Sequence, residues 1–205
     1  MNDLVKSASA FVTKLLKENL PSEFTYHNLQ HAGEVFSSVT EIGENSKLTI
    51  EELEFIQIAA LFHDTGFIKG YLDHEFKSIE IVKDYLEKMN YPRVKIEKIT
   101  GIIVITTLGN VPANLSEMVI KDADNLYIGK DDFYARSLLL RSEWESFKHK
   151  KYTDEEWLKS SLSFVSRTIF FTEYANSRYE AGRQKNISRL NEMIKNHNNF
   201  LLADK

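Results

Sequence analysis

LTIEELEFIQIAALFHD, residues 48–64, is the stretch on which the fold turns. Thr49 and Glu52 stand three apart at its start, the spacing of a capping box in which each side chain accepts the other's backbone N–H. Leu48 and Leu53 flank that box as a hydrophobic staple. Leu53, Ile56, Ala60 and His63 then follow at spacings of three, four and three, which lays them along one helical face. Gly66 is expected to stop the helix just after the His63-Asp64 pair. Successive helical residues point about 100° apart, so a regular helix cannot aim both side chains into one core. If both converge on one object, it lies beyond the helix end, where Gly66 frees the chain.

The rest of the chain repeats with the same period. Only 8 glycines and 3 prolines interrupt 205 residues. Helices are expected near 73–89 and 93–107, the latter ending before GNVPAN, and over 115–128, 132–149, 153–170 and 173–198. RVKIEKITGIIVITTL is rich in β-branched residues and is the one place where a strand competes; its length and its helical neighbours favour a helix. At the N-terminus Leu4, Ala8, Phe11 and Leu15 form a helix face, read as packing on the core in preference to a membrane surface. The expectation is an all-α chain with one domain over 1–205. Its helical-bundle core covers about 20–130, and additional C-terminal helices form a layer over about 131–200.

Composition narrows the class. The 26 basic and 30 acidic residues leave a formal charge of −4, which speaks against nucleic-acid binding through a basic surface. Cysteine is absent, so neither disulfides nor thiolate metal sites can form. No apolar run reaches the roughly 20 residues that span a bilayer, and no secretion-signal order is present. A cytoplasmic protein with no membrane partner is expected, compatible with a homo-oligomer.

Four of the 6 histidines fall within residues 27–74. FTYHNLQHAGEVF, residues 24–36, sets His27 and His31 four apart, so both rings project from one side of a helix. VIKDADNLYIG, residues 119–129, places Asp122 and Asp124 on either side of Ala123 in an apolar run. Each lies about 100° from its neighbour Ala123 at the centre of the face, so periodicity does not choose between them. Imidazole nitrogens and carboxylate oxygens are joint ligands of a divalent cation, and such an ion neutralises carboxylates that are otherwise costly to bury.

This ordered set resembles the H…HD…D signature of the HD superfamily of metal-dependent phosphohydrolases. Tyr26-His27-Asn28 followed by His31-Ala32 is similar to the YHNxxHA motif of cyclic-nucleotide phosphodiesterases and to the YHNLxH start of small bacterial HD phosphohydrolases. Ala59 to Phe67, with His74, Glu75 and Ser78 behind it, is similar to the AALFHDxxF…E..S segment of the bacterial proteins. DADNLYIG and the late Phe171-Thr172-Glu173, Arg178 to Glu180 and Arg183 to Asn186 groups also resemble them. The resemblance implies His31, His63, Asp64 and Asp124 as metal ligands, choosing Asp124 because the family's aspartate follows alanine and precedes x-Leu. It implies His27 as the group that protonates the leaving oxygen. His74, Glu75, Lys69 and Asn28 are expected substrate contacts. Departures bound the carry-over: the glutamine pocket of the phosphodiesterases has no counterpart, and Ile128 stands where alarmone-cleaving members place asparagine.

Two imidazoles with two carboxylates suit Mn, Fe, Co, Ni or Zn better than an all-oxygen Mg site. The expected activity is hydrolysis of a phosphoester or phosphoanhydride in a small, nucleotide-like molecule, through water activated at the ion and oriented by Asp64. Lys69, Lys121, Arg178 and Arg183 are the cations available for its phosphates. A second reading keeps the fold as a catalytically silent module that senses a metal and a nucleotide, and a third is a helical scaffold.

Overall fold

A computed structural model describes residues 3–203, with side chains through His197. The outermost two positions at each end of the expected 1–205 domain lie outside the described residues. Among the described residues there are nine α-helices and no strand. They are α1 (Asp3–Asn19), α2 (Leu29–Asn45), α3 (Ile50–Phe62), α4 (His74–Lys88), α5 (Arg93–Thr106), α6 (Leu115–Asn125), α7 (Phe133–Phe147), α8 (Asp154–Arg167) and α9 (Glu173–Ala203). Short 3-10 turns at Thr65–Lys69 and Leu126–Gly129 follow α3 and α6. The β-branched α5 is helical, with Ile96, Ile99, Ile102 and Ile103 buried and its flanks packed on α3 and α4. None of these helices is long and apolar enough to cross a membrane.

The capping box forms as expected: Thr49 Oγ1 accepts Glu52 N at 3.2 Å, and Glu52 Oε2 accepts Thr49 N at 2.9 Å. The Leu48 and Leu53 methyls meet over Gly43, completing the staple. The single apolar face expected of α3 is not what folding produces. All eight positions from Phe55 to Phe62 are buried, because α1, α2, α4, α5 and α6 surround the helix. A helix apolar all round is the one a bundle wraps. Gln57, its one polar residue in that stretch, donates to Thr40 Oγ1 at 3.0 Å.

On α1 the buried positions are Val5, Ala8, Val12 and Leu16, a phase shifted from the expected Leu4, Ala8, Phe11 and Leu15. Apolar pairs at 4–5, 11–12 and 15–16 let periodicity accept either phase. Packing selects the one that puts the smaller Val12 inside and leaves Phe11 tilted over Tyr85 at 4.6 Å.

The break after α3 also differs in detail. His63 keeps helical dihedrals (φ −52°, ψ −35°) and Asp64 leaves them (φ −106°, ψ 3°), two residues before Gly66. Gly66 serves a close approach instead: a Cβ there would lie 1.9 Å from the His74 carbonyl oxygen and 2.8 Å from Lys77 Cβ. Its N–H donates to Ser78 Oγ at 2.7 Å, locking the turn onto the start of α4. Gly66→Ala is therefore expected to push α4 away and lower stability by about 1–3 kcal/mol, the usual range for overpacking. Thermal unfolding checks this; an unchanged midpoint would mean that the approach is not a constraint.

One apolar cluster extends from Val5 in α1 to Leu190 in α9. The C-terminal helices are tied to the earlier ones by polar contacts. Asn186 Nδ2 donates to the Ile128 and Lys130 carbonyls at 2.9 and 2.8 Å. Arg136 on α7 pairs with Glu34 on α2 at 2.7 Å.

Candidate metal centre and its cavity

Each proposed ligand is aimed by local structure. Asn28 caps α2, its Oδ1 accepting Gln30 N at 2.9 Å and His31 N at 3.3 Å, which seats His31 in the first turn. His63 Nδ1 lies 2.8 Å from the Ala60 carbonyl. A carbonyl only accepts, so Nδ1 carries the proton and the Nε2 lone pair points outward, the arrangement usual for a metal-binding histidine. Asp64 turns off the helix axis beside it, and Asp124 comes from the last turn of α6.

The four side chains meet. Asp124 Oδ1 is 3.2 Å from His31 Nε2 and 3.5 Å from His63 Nε2. Asp64 Oδ2 is 3.2 Å from His63 Nε2 and 3.5 Å from His31 Nε2. Among the described residues, ligand atoms of His31, His63 and Asp124 all lie within 4.8 Å of one another. Asp64 stands outside that mutual set but faces both imidazoles. His31 Nε2, His63 Nε2 and Asp64 Oδ2 are buried without a hydrogen-bond partner. Three orphaned lone-pair donors aimed at one place fit a divalent cation.

Electrostatics support that fit. Burial opposes charge on every group here, but the mutual ion pairs prevail. Asp64 and Asp124 together hold the His63 imidazolium well above its usual pKa, against desolvation. The same pairing holds both carboxyls below the carboxylate range, Asp64 through His63 and Asp124 through His31 and His63, again against burial. The pairing thus favours the charged imidazole at His63 and the charged carboxylates facing it.

Asp122, left open by periodicity, faces away. It is 1% exposed and accepts Phe171 N at 2.7 Å, Thr172 N at 2.8 Å and Thr172 Oγ1 at 2.7 Å. It fastens the start of α9 to α6 and has no part in the histidine cluster.

A cavity of about 460 Å³ opens from His63, Asp64 and Asp124. Its walls are aromatic: Tyr71, Tyr127 and Phe133, then Trp144, Trp157 and Phe164 from α7 and α8. His74 and Glu75 line it. His74 stacks on Phe67 with centroids 3.8 Å apart and sets Nε2 3.5 Å from Asp64 Oδ1.

His27 also lines the cavity, its ring 5.6 Å from that of His31. Its Nδ1 lies 2.5 Å from Glu143 Oε1, while Glu143 Oε2 accepts the backbone N–H groups of Tyr26 and His27 at 3.0 and 2.9 Å. Desolvation works against the charged ring, but the Glu143 hydrogen bond, with Asp64 behind it, raises its pKa overall.

Other expected contacts lie elsewhere. Asn28 is occupied by the cap, with Nδ2 on the Thr25 carbonyl at 3.0 Å. Lys69 pairs with Glu80 at 3.1 Å on the surface. Lys121 donates to the Ile105 and Thr107 carbonyls, and Arg183 to Glu180 and the Val165 carbonyl. Arg178 is exposed and lines neither this cavity nor its neighbours. The cations that do line the cavity are Lys148 and Arg167, neither singled out from sequence. Lys148 Nζ sits 3.4 Å over the Trp144 ring. Glu143 was legible in principle: it is a lone acid seven residues after Arg136 along the stripe that buries Phe133 and Ser137.

The HD domain family matches residues 28–129, the segment that holds all four clustered side chains. The chain is an HD-domain protein. No curated protein matches this HD-domain chain in sequence. Its fold is similar to that of Bacillus subtilis YpgQ, solved in complex with ADP, at TM-score 0.67 and 19% identity over 94% of each chain. The Lin1889 protein of Listeria innocua aligns at TM-score 0.63 and 20% identity, over 95% of this chain and 98% of that one. A predicted HD superfamily hydrolase from an uncultured Thermotogales bacterium aligns at TM-score 0.58 and 19% identity, over 98% and 92%.

Proposed function

We propose that this HD-domain protein is a metal-dependent phosphohydrolase acting on a small nucleotide-like phosphoester or phosphoanhydride, with 1–205 working as one domain. The observation that carries the reading is the set of orphaned buried donors on His31, His63 and Asp64, grouped with Asp124 at the base of a large aromatic cavity that His63, Asp64 and Asp124 line. ADP bound to the structurally similar YpgQ is consistent with a nucleotide.

His31, His63, Asp64 and Asp124 would hold the ion. When bound, it supplies Lewis acidity for a phosphoryl oxygen and lowers the pKa of water from 15.7 towards about 7. Asp64 directs Oδ2 at the centre and Oδ1 at His74, so one carboxylate can bind and orient the attacking water. His27 delivers a proton to the leaving oxygen, a contribution of roughly 10²–10⁴ in rate. The aromatic lining, Tyr71 and Trp144 among it, would receive a base, and Lys148 and Arg167 would offer charge for phosphates.

The test is release of phosphate or pyrophosphate from a nucleotide panel by purified protein with added Mn. Turnover is expected; tight nucleotide binding with no product from any member of the panel would return the protein to the sensor reading.

The metal-free cluster has a further consequence. Metal takes the neutral imidazole, so below the raised pKa of His63 each binding event must expel its proton. Affinity is expected to rise with pH, by about tenfold per unit while one proton is released, and to level off above that pKa. Zn titrations by calorimetry in buffers of different ionisation enthalpy count the proton; a flat affinity and no proton release would contradict the assignment.

A further inference from the structure

The His27–Glu143 contact joins a residue just before α2 to one on α7, 116 positions later and beyond the segment matched by the HD family. Glu143 has 0% exposure. A buried carboxylate is costly unless its oxygens are engaged. Here both oxygens go to one dipeptide: Oε2 takes the Tyr26 and His27 N–H groups and Oε1 takes the His27 ring. No Lys or Arg pairs with it among the described residues; its only ion-pair partner there is that imidazole. If stability alone were served, an uncharged acceptor would satisfy the two N–H groups at less desolvation cost.

We propose that Glu143 is a positioning residue for proton transfer by His27. With Nδ1–H committed to the carboxylate, the ring orientation and tautomer are set, and Nε2 is the nitrogen presented to the cavity. The step balances simply. Water adds to phosphorus, the bond from phosphorus to the leaving oxygen breaks, and the Nε2 proton goes to that oxygen. The proton of the water passes to Asp64 and on to solvent, from which His27 is recharged. This inference rests on the phosphohydrolase reading, and α7 thereby completes the site.

The decisive comparison is between two diesters of thymidine 5′-monophosphate, one with a p-nitrophenyl leaving group and one with phenyl. Nitrophenolate departs without help from an acid, whereas phenolate needs the proton. In the Mn-loaded enzyme, Glu143→Gln is expected to lower kcat on the phenyl ester by about 10- to 100-fold, part of the contribution of an acid catalyst, with KM within about twofold. On the p-nitrophenyl ester the loss should stay under about threefold. The double variant His27→Ala with Glu143→Gln should be no slower than His27→Ala alone, since residues acting through one another are not additive. Equal losses on both esters, or a further loss in the His27→Ala background, would overturn the proposal. If wild-type protein cleaves neither ester, the diester form of the hydrolase reading fails instead. Nitrogen-15 spectra of the Zn-loaded wild type then decide the positioning: neutral His27 protonated at Nδ1 supports it, and at Nε2 refutes it.

Discussion

Loss of His63 and Asp64 together, through His63→Ala with Asp64→Ala, is expected to leave a folded protein that neither retains metal nor turns over phosphoesters. The two residues supply one imidazole and one carboxylate of the cluster, and with them go two of its three orphaned donors. His31 and Asp124 remain, but two ligands do not hold a divalent ion against water at ordinary concentrations. Removing a single preorganised electrostatic donor from an active site typically lowers kcat by 10²–10³. Loss of the ion removes both charge stabilisation and water activation, so activity should fall below about 10⁻³ of the wild type. Elemental analysis of protein purified without chelator or polyhistidine tag, together with the nucleotide assay, gives both readings. A variant that still carries one equivalent of metal and more than roughly a tenth of the wild-type rate would rule out the centre.

The two aspartates around Ala123 should behave in opposite ways, which is the second large effect. Asp122→Ala removes three hydrogen bonds to a charged acceptor and strands the Phe171 and Thr172 N–H groups in the interior. Hydrogen bonds to charged groups contribute about 1.5–3 kcal/mol each, and orphaned buried donors add to the loss. Relaxation and water entry offset part of this, so about 3–5 kcal/mol of destabilisation is expected, or roughly 10 °C in Tm for a chain of this size. Metal content should be retained. Asp124→Ala should do the reverse, losing metal while shifting the Tm of the metal-free protein little. Calorimetry and metal analysis on the two variants give a crossed pattern. If Asp122→Ala loses the metal and Asp124→Ala keeps it, the roles assigned by geometry are exchanged and the site must be redrawn.

Much of this was visible in one dimension. The capping box at Thr49 and Glu52, the helix before the HD pair and the helical α5 despite its β-branched run follow from residues within a few turns of one another, and the HD resemblance from short motifs set in order along the chain. His27 and His31 do come together, with ring centroids 5.6 Å apart, but His27 lies in the turn before α2 and not on its face, so helical period is not what pairs them. Helical period, caps and motif spacing are short-range quantities, written where they act. The phase of α1 was misjudged for the same reason: adjacent apolar pairs satisfy either stripe, and the neighbour that chooses is in another helix.

Other features depended on contacts that close only in three dimensions. Asp122 and Asp124 are equivalent to periodicity, and what separates them is Thr172, 50 residues on, receiving one of them. Lys69 and Lys121 found partners that the sequence does not mark, whereas Lys148, at the end of α7, and Arg167, in the last turn of α8, were carried to the cavity. Glu143 reaches His27 across 116 positions. Local sequence therefore determined which segments are helices and which side chains are candidates for metal chemistry. Tertiary packing decided which of the two acids faces the histidines, a choice that motif resemblance anticipated and periodicity did not, and it alone decided which cations face the cavity and what holds His27, because the free energy of a buried charge depends on the partners that surround it in space.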